Sequence, residues 1–182
     1  IAGADQPTPE VLGSLHDEVT RLRRIVGDLA TLAAAEAAGL RMTSAPVDLA
    51  TVASAAVDLL RPLADDRMIT IETSLAEALI LGDANRIQQI AVNLIANAVK
   101  FTPSGGLVSV TTMVSTSQAI LEVADNGPGI PDGELGHVFE RFWRGSNGEK
   151  ASGTGIGLAV VKELTTAHQG SVVAENRAGG GA

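Results

Sequence analysis

From residue 10 to residue 37 apolar side chains recur in alternating steps of three and four, at Leu12, Leu15, Val19, Leu22, Val26, Leu29 and Ala33. That spacing is a heptad seam, the mark of a long coiled-coil-type helix, and it demands a partner. No second heptad segment occurs in the chain. The seam is therefore expected to be buried by another copy, by a helix outside this sequence, or by both; the alternative is a plain amphipathic helix folded back on the following domain. Gly39 to Pro46 reads as a linker. Val47 to Ala64 has helical spacing, with Leu49, Val52, Ala53, Ala56, Val57 and Leu60 on one face, and should end near Arg61-Pro62 because a proline disfavours helix in the residue before it. Met68 to Ser74 alternates as a strand does, and Leu79-Ile80-Leu81 is a short strand feeding Gly82-Asp83. Leu107 to Val114 and Ala119 to Asp125 form two strands joined by Ser115-Thr116-Ser117-Gln118 as a hairpin. Gly145 to Ser152 is a flexible loop by composition. Gly153 to Leu158 opens a final helix to His168, stopped at Gly170, and Ser171 to Glu175 is a last strand. The chain ends in Gly179-Gly180-Gly181-Ala182, so a closing strand is expected to be missing and a sheet edge unpaired.

Between these elements lies the most informative stretch, Asp83 to Thr102. Read as a helix capped by Asp83, it places Arg86, Gln89, Asn93, Asn97 and Lys100 within an arc of roughly 80°. Ile87, Ala91, Leu94, Ile95, Ala98 and Val99 fall opposite. An ordinary solvated face would favour Glu and Lys, whereas Asn has poor helix propensity and competes for backbone hydrogen bonds. Two amide oxygens one turn apart, with an ammonium a turn further on, suit a hard cation and the phosphates it carries.

Composition narrows the field. At 182 residues and 45% hydrophobic, the chain can form one domain with a real core plus a small appendage. A formal net charge of -8 argues against nonspecific binding to nucleic acid or anionic membranes. The absence of cysteine removes disulfides, thiolate nucleophiles and Cys-ligated zinc. No apolar run approaches the ~20 residues of a membrane span. A start at Ile1 rather than Met leads us to expect a piece of a longer protein, with room for a membrane span upstream. The only aromatic residues are Phe101, Phe139, Phe142 and Trp143, so the core must be built of Val, Ile, Leu and Ala.

Two further stretches carry candidate chemistry. Asp125 ends an apolar strand, where a carboxylate is costly unless a donor meets it, and the exocyclic amine of adenine is a donor. Gly127 and Gly129 behind it allow backbone to approach a flat ring, although Asp-Asn-Gly-Pro-Gly also suits a simple tight turn. Gly153-Thr154-Gly155-Ile156-Gly157 at a helix start offers free N–H groups and the positive end of a helix dipole to an anion. It is neither a Walker A loop nor a glycine turn following a strand, and no His-Arg-Asp or Asp-Phe-Gly tripeptide occurs.

In this order the stretches resemble the histidine kinase family of two-component sensors, whose ATP-binding domain belongs to the group that includes gyrase B, MutL and Hsp90. Asn93 to Thr102 resembles the family's N box, Asp125 to Ile130 its G1 box, Phe139-Glu140-Arg141-Phe142-Trp143-Arg144 its F box and Gly153 to Leu158 its G2 box. The heptad helix resembles the second helix of the dimerisation and phosphotransfer hairpin. The resemblance implies an α/β (α+β) two-layer sandwich, a mixed sheet with helices on one face, preceded by the long helix. Residues 1–44 would be the partial hairpin with its linker, and 45–182 the catalytic domain. It implies ATP and Mg²⁺, with Asn97 assisted by Asn93 as metal ligands, Lys100 on phosphate, Phe101 on the adenine and Asp125 accepting its amine. Gly127, Gly129 and Ile130 would complete the adenine loop. Arg141 and Arg144 would begin a mobile lid anchored by Phe139 and Phe142, whose ordinary role is packing. Gly155 and Gly157 would cradle phosphate while Thr154 and Leu158 line the site. Asn93, Lys100 and Arg141 are the residues expected to act in catalysis.

The related ATPases and serine kinases carry Glu where this chain has Asn93, and Asn cannot act as a general base. The resemblance thus implies transfer of the γ-phosphoryl to a histidine, for relay to an aspartate on a response regulator, by positioning and charge neutralisation. It also implies a homodimer through the hairpin and a cytoplasmic domain of an inner-membrane protein. His16-Asp17-Glu18-Val19-Thr20 has the acidic residue that follows the family's acceptor histidine but lacks its proline, and it sits on the second helix rather than the first. His137 lies in an irregular segment, and His168 at a helix end is explained by the dipole. This chain is therefore expected to bind ATP without phosphorylating itself. The rival reading is a noncatalytic ATP-binding interaction module that regulates a partner protein.

Overall fold

A computed structural model describes residues 43–146 and 154–182 continuously, together with Thr8, Val11, Gly13, Leu15, Glu18, Val19, Val26, Gly27, Ala30 and Ala33. The elements in chain order are β1 (Ala45–Asp48), α1 (Leu49–Asp66), β2 (Thr70–Leu75), β3 (Leu79–Gly82), α2 (Ala84–Phe101), β4 (Leu107–Ser115), β5 (Gln118–Asp125) and α3 (Gly157–Ala167). β2, β4 and β5 form a mixed sheet in that order, β2 parallel to β4 and β4 antiparallel to β5, while β1 and β3 pair antiparallel as a separate ribbon. Alternation along β4 sends Val108, Val110 and Thr112 inward, and α1 and α2 cover that face. The opposite face is polar, carrying exposed Thr70, Glu72, Ser74 and Glu122, so the architecture is two layers with helices on one side, as expected.

The core is aliphatic, as the shortage of aromatics requires. Val52, Ala53, Ala56 and Val57 of α1 pack with Ile87, Ala91, Ile95, Ala98 and Val99 of α2. Each fully buried Val or Ile contributes about 1.5–3 kcal/mol over its exposed state. α3 packs on α2 through a second cluster, with Ile156, Val160 and Leu164 against Ile90. No buried side-chain polar atom lacks a partner among the described residues: Thr102 and Thr112 turn their hydroxyls to the carbonyls of Ala98 and Ala76, both at 2.7 Å.

Several boundaries differ from the sequence reading for identifiable reasons. Ala45–Asp48 is a strand, where linker was expected to Pro46 and helix from Val47, and Pro46 is tolerated because β1 pairs on one side only. The helix after it starts at Leu49, because Asp48 caps it by accepting from the N–H groups of Ala50 and Thr51. That helix also continues through Pro62 to Asp66. Pro62 and Asp58, whose carbonyl loses its helical partner, are both exposed, so water can replace the bond. The hairpin between β4 and β5 turns on Thr116 and Ser117 with φ of 49° and 70°, the geometry that matches the twist of paired strands. Ser171 to Glu175 alternates in exposure as a strand would, with Val173 76% exposed, but joins no ladder among the described residues. Past its end Gly181 and Ala182 reach β5, where the Asp125 N–H donates to the Ala182 carbonyl at 2.8 Å.

The described positions from Val11 to Ala33 are helical, in line with the long helix, and Leu15, Val19 and Val26 of the seam are exposed. Leu12, Leu22, Leu29, His16 and Gly39–Met42 lie outside the described residues, as does 147–153 of the loop before the G2-like turn.

Two helix caps give the fold an acid-sensitive element. The Ala78 N–H beside Asp48, with further donation from Ala50 and Thr51, holds its carboxyl below the usual 3.8 against the opposing effect of desolvation. Burial pushes Asp83 up, but N–H donation from Arg86, Thr43 and Asn85 and the Arg86 charge outweigh it, and its net shift is also downward. Carboxyls that titrate lower when folded add stability that is complete above the unfolded value and is lost as pH falls through the folded one. Melting temperature should therefore hold above about pH 5 and drop below about pH 4, and Asp48→Asn with Asp83→Asn should flatten that drop in calorimetric scans.

Candidate functional site

Three separated stretches meet at one cavity of about 300 Å³, within the range of small-molecule sites. α2 supplies its floor through Asn93, Asn97, Lys100 and Phe101; the turn after β5 supplies Asp125, Gly129 and Ile130; the turn into α3 supplies Thr154, Gly155, Gly157 and Leu158. Arg144 also lines it. The Asn strip is half-buried rather than solvated, which accounts for residues of poor helix propensity in mid-helix. α2 holds them because Asp83 caps its start by accepting from the N–H groups of Asn85 and Arg86 at 3.0 and 3.2 Å. At its other end the Arg67 guanidinium donates to the Lys100 carbonyl at 3.0 Å.

Asp125 is half-buried, and its Oδ1 accepts from the Gly127 N–H at 2.8 Å. A Cβ on Gly127 would stand 2.8 Å from the Phe101 carbonyl oxygen, so glycine is needed for this loop to lie against the end of α2. The Lys100 ammonium lies over the Phe101 ring, 4.6 Å from its centroid, so the cation and the aromatic face share one corner of the cavity. Across it, α3 begins at Gly157 with Ile156 at its N-cap and no side-chain cap, so no capping side chain competes for its first N–H groups. A Cβ built on Gly157 would lie 3.8 Å from Asn93 Oδ1, so the glycine turn and the Asn strip directly face each other.

Of the sequence-predicted residues, only Gly127 and Arg141 are not among those lining the cavity. Arg141 donates to Glu163 of α3 at 3.2 Å, an exposed pair. Phe142 was expected to pack, yet it is 55% exposed at φ 62°, while Val138 is buried in the same segment. Its backbone explains this: the carbonyl carbon of Phe142 and the Trp143 oxygen lie against Gly155, so the chain is bent for that contact rather than for ring burial.

Sequence reasoning missed Pro128, Glu134 and Val138, which line the cavity from an irregular segment without periodic signal, and did not single out Trp143 from the aromatic cluster. It also missed Asn176. The Asn176 amide accepts from the Ile130 N–H at 2.8 Å and donates to the Ile130 carbonyl at 2.6 Å, clamping the end of the Asp125 loop from 46 residues away. No local pattern could have flagged it. Asn176→Ala should speed hydrogen exchange at the Ile130 amide roughly fivefold, as expected for about 1 kcal/mol of lost loop order. An unchanged exchange rate would remove the clamp from consideration.

Comparison with known proteins points to the same stretches. Residues 82–182 match the family described as histidine kinase-, DNA gyrase B-, and HSP90-like ATPase. The chain is 33% identical over 182 residues to the signal transduction histidine-protein kinase BaeS of Escherichia coli K12, covering 98% of this chain and 39% of that protein. It is 35% identical over 181 residues to the probable sensor histidine kinase TcrY of Mycobacterium tuberculosis, covering 98% and 38%. The solved structure of full-length ShkA in complex with AMPPNP matches it with a TM-score of 0.78 at 30% identity, over 100% of this chain and 38% of that one. The chain thus spans well under half the length of these relatives. Because the matched residues run from the cap of α2 to the Asp125 and glycine turns that build the cavity, the chain belongs to the histidine kinase-, DNA gyrase B-, and HSP90-like ATPase family.

Proposed function

We propose that the cavity binds ATP with Mg²⁺ and that the chain is the catalytic domain of a sensor histidine kinase, transferring the γ-phosphoryl to a histidine outside the described residues. The observation that carries this reading is the convergence of the Asn strip, the Asp125 turn and the uncapped start of α3 on one cavity. In it Asp125 accepts the adenine amine through Oδ2, since Oδ1 is taken by Gly127. Phe101 and Ile130 flank the ring, with Gly129 beside it. Lys100, Arg144 and the N–H groups from Gly155 to Leu158 meet the phosphates, and Thr154 closes the edge.

The donor set fits the metal. Asn93 and Asn97 line the cavity one helical turn apart, and two amide oxygens there suit a hard cation carried in by phosphate oxygens. When bound there, Mg²⁺ would neutralise charge developing on the phosphates. Asn93 itself can hold but cannot take a proton, so it leaves water unactivated and favours an acceptor that needs no base, such as an imidazole. Arg141 would exchange Glu163 for phosphate as the segment closes.

The hairpin assignment for 1–44, the domain bounds of 45–182, a homodimer through the seam, and a response regulator as later acceptor belong to the same proposal. The relatives named as a signal transduction histidine-protein kinase and a probable sensor histidine kinase support it. Placement as the cytoplasmic part of an inner-membrane protein also belongs here; no helix among the described residues is long and apolar enough to cross a membrane. The test is a longer protein that includes the upstream helix, incubated with labelled ATP and Mg²⁺. Acid-labile, base-stable label on that helix supports the kinase, and bound nucleotide without label supports the interaction module instead.

A further inference from the structure

α2 forms the floor of the cavity and α3 starts across from it, and the two helices are joined by an apolar contact and by a directional one. The apolar contact is Ile156, Val160 and Leu164 against Ile90. The directional tie lies at the far end. The Asp83 N–H, at the cap of α2, donates to His168 Nε2 at 3.1 Å, and His168 Nδ1 is 2.7 Å from the Leu164 carbonyl one turn back in α3. A carbonyl only accepts and an amide N–H only donates, so Nδ1 carries the ring hydrogen and Nε2 is bare. This is a different role from the cationic dipole partner that a histidine at a helix end suggests.

The surroundings are built for that ring. A Cβ on Gly82 would meet His168 Cδ2 at 2.6 Å and Ile87 Cδ1 at 2.8 Å, so only glycine admits the imidazole beside the buried Ile87. The Asp83 carboxylate also accepts from the Thr43 N–H at 3.3 Å, so one residue joins the start of α2, the end of α3 and the segment entering from the long helix. From Asp83 to Asn93 the helix rises about 15 Å, and from His168 back to Gly157 about 16 Å. The two helices are therefore pinned at one end and face each other across the cavity, Asn93 against Gly157, at the other.

We propose that His168 is a positioning residue for the phosphate end of the nucleotide site: its Nε2 bond to the Asp83 N–H sets the register of α3 along α2, and with it the distance from the Asn strip to the glycine turn. The inference rests on the nucleotide reading of the cavity. A slip of one residue moves Gly157 by about 1.5 Å, enough to misplace phosphate against metal ligands.

The test uses the whole chain. Long-range proton–nitrogen spectra of the unmutated protein in neutral to alkaline buffer should show His168 protonated at Nδ1 with an accepting Nε2; a proton at Nε2 overturns the tie. His168→Leu should weaken Mg-ATP about tenfold while leaving adenosine unchanged, and His168→Gln, whose amide oxygen can reach the Asp83 N–H, should recover most of it. Equal affinities for Leu and Gln variants, or equal losses for adenosine and Mg-ATP, overturn the positioning role. Should His168→Leu fail to fold, His168→Gln and the spectra still decide. A protein that binds no nucleotide but shows the expected tautomer retains the tie, while both the site reading and the positioning role fall.

Discussion

Asp125→Asn is expected to weaken ATP and ADP by about 10- to 100-fold while leaving inorganic triphosphate nearly unaffected, measured by calorimetry with Mg²⁺ present. The size comes from the kind of bond. A hydrogen bond to a charged group contributes about 1.5–3 kcal/mol, and here the loss is sharpened by what the replacement presents. The Gly127 N–H holds one oxygen of residue 125 at 2.8 Å, and an asparagine keeps that contact with its carbonyl oxygen. Its NH₂ then faces the cavity, so a donor confronts the adenine amine, itself a donor. The loop should survive, since its internal bond survives and Asn176 clamps its far end. Equal losses for ATP and triphosphate would place the adenine elsewhere and break the reading of the Asp125 turn.

How much of this was legible beforehand depended on whether the cause was local. The Asn strip could be read because helical geometry alone puts positions 93, 97 and 100 on one side, and the cap at Asp83 fixed the start of that helix. Local cues also found the strand from Leu107 to Val114 and the hairpin through Ser115 to Gln118. Asp48 was a legible cap that was passed over, because Pro46 made the residues before it look like linker. Pro62 misled in the opposite direction: its cost depends on whether water reaches the orphaned carbonyl, which is a property of the folded surface. Asn176 and His168 lay beyond reach for a further reason. Each acts on a backbone group 46 or 85 residues away, and no periodicity links an amide or an imidazole to a peptide at that separation. The lining positions on α2 and in the two glycine-bearing turns were thus visible, while those on the irregular segment from Glu134 to Trp143, and the residues that hold the cavity in shape, were not.

Gly155→Ala should have an effect of similar size through sterics alone, and it can be tracked without nucleotide. Gly155 has φ +73°, and a Cβ there would stand 2.6 Å from both the Phe142 carbonyl carbon and the Trp143 oxygen. Left-handed backbone costs an ordinary residue about 1–2 kcal/mol, and the clash adds to it because backbone atoms of a bent segment cannot swing aside like a side-chain tip. The turn and the Phe142-Trp143 segment must separate, which opens the wall of the cavity beside Arg144. Trp143 lines the cavity and is the sole tryptophan, so its emission reports that separation directly. Gly157→Ala is the control. Its Cβ would meet only the Asn93 amide, at ordinary contact distance, and its φ is not in the left-handed range. Both variants should lose ATP affinity, Gly155→Ala by roughly 30-fold or more, but only Gly155→Ala should shift the emission of the free protein. An unshifted spectrum with intact ATP binding in Gly155→Ala would mean that the glycine turn does not rest on the Phe142-Trp143 backbone, and the cavity would lose the contact that joins its two loop walls.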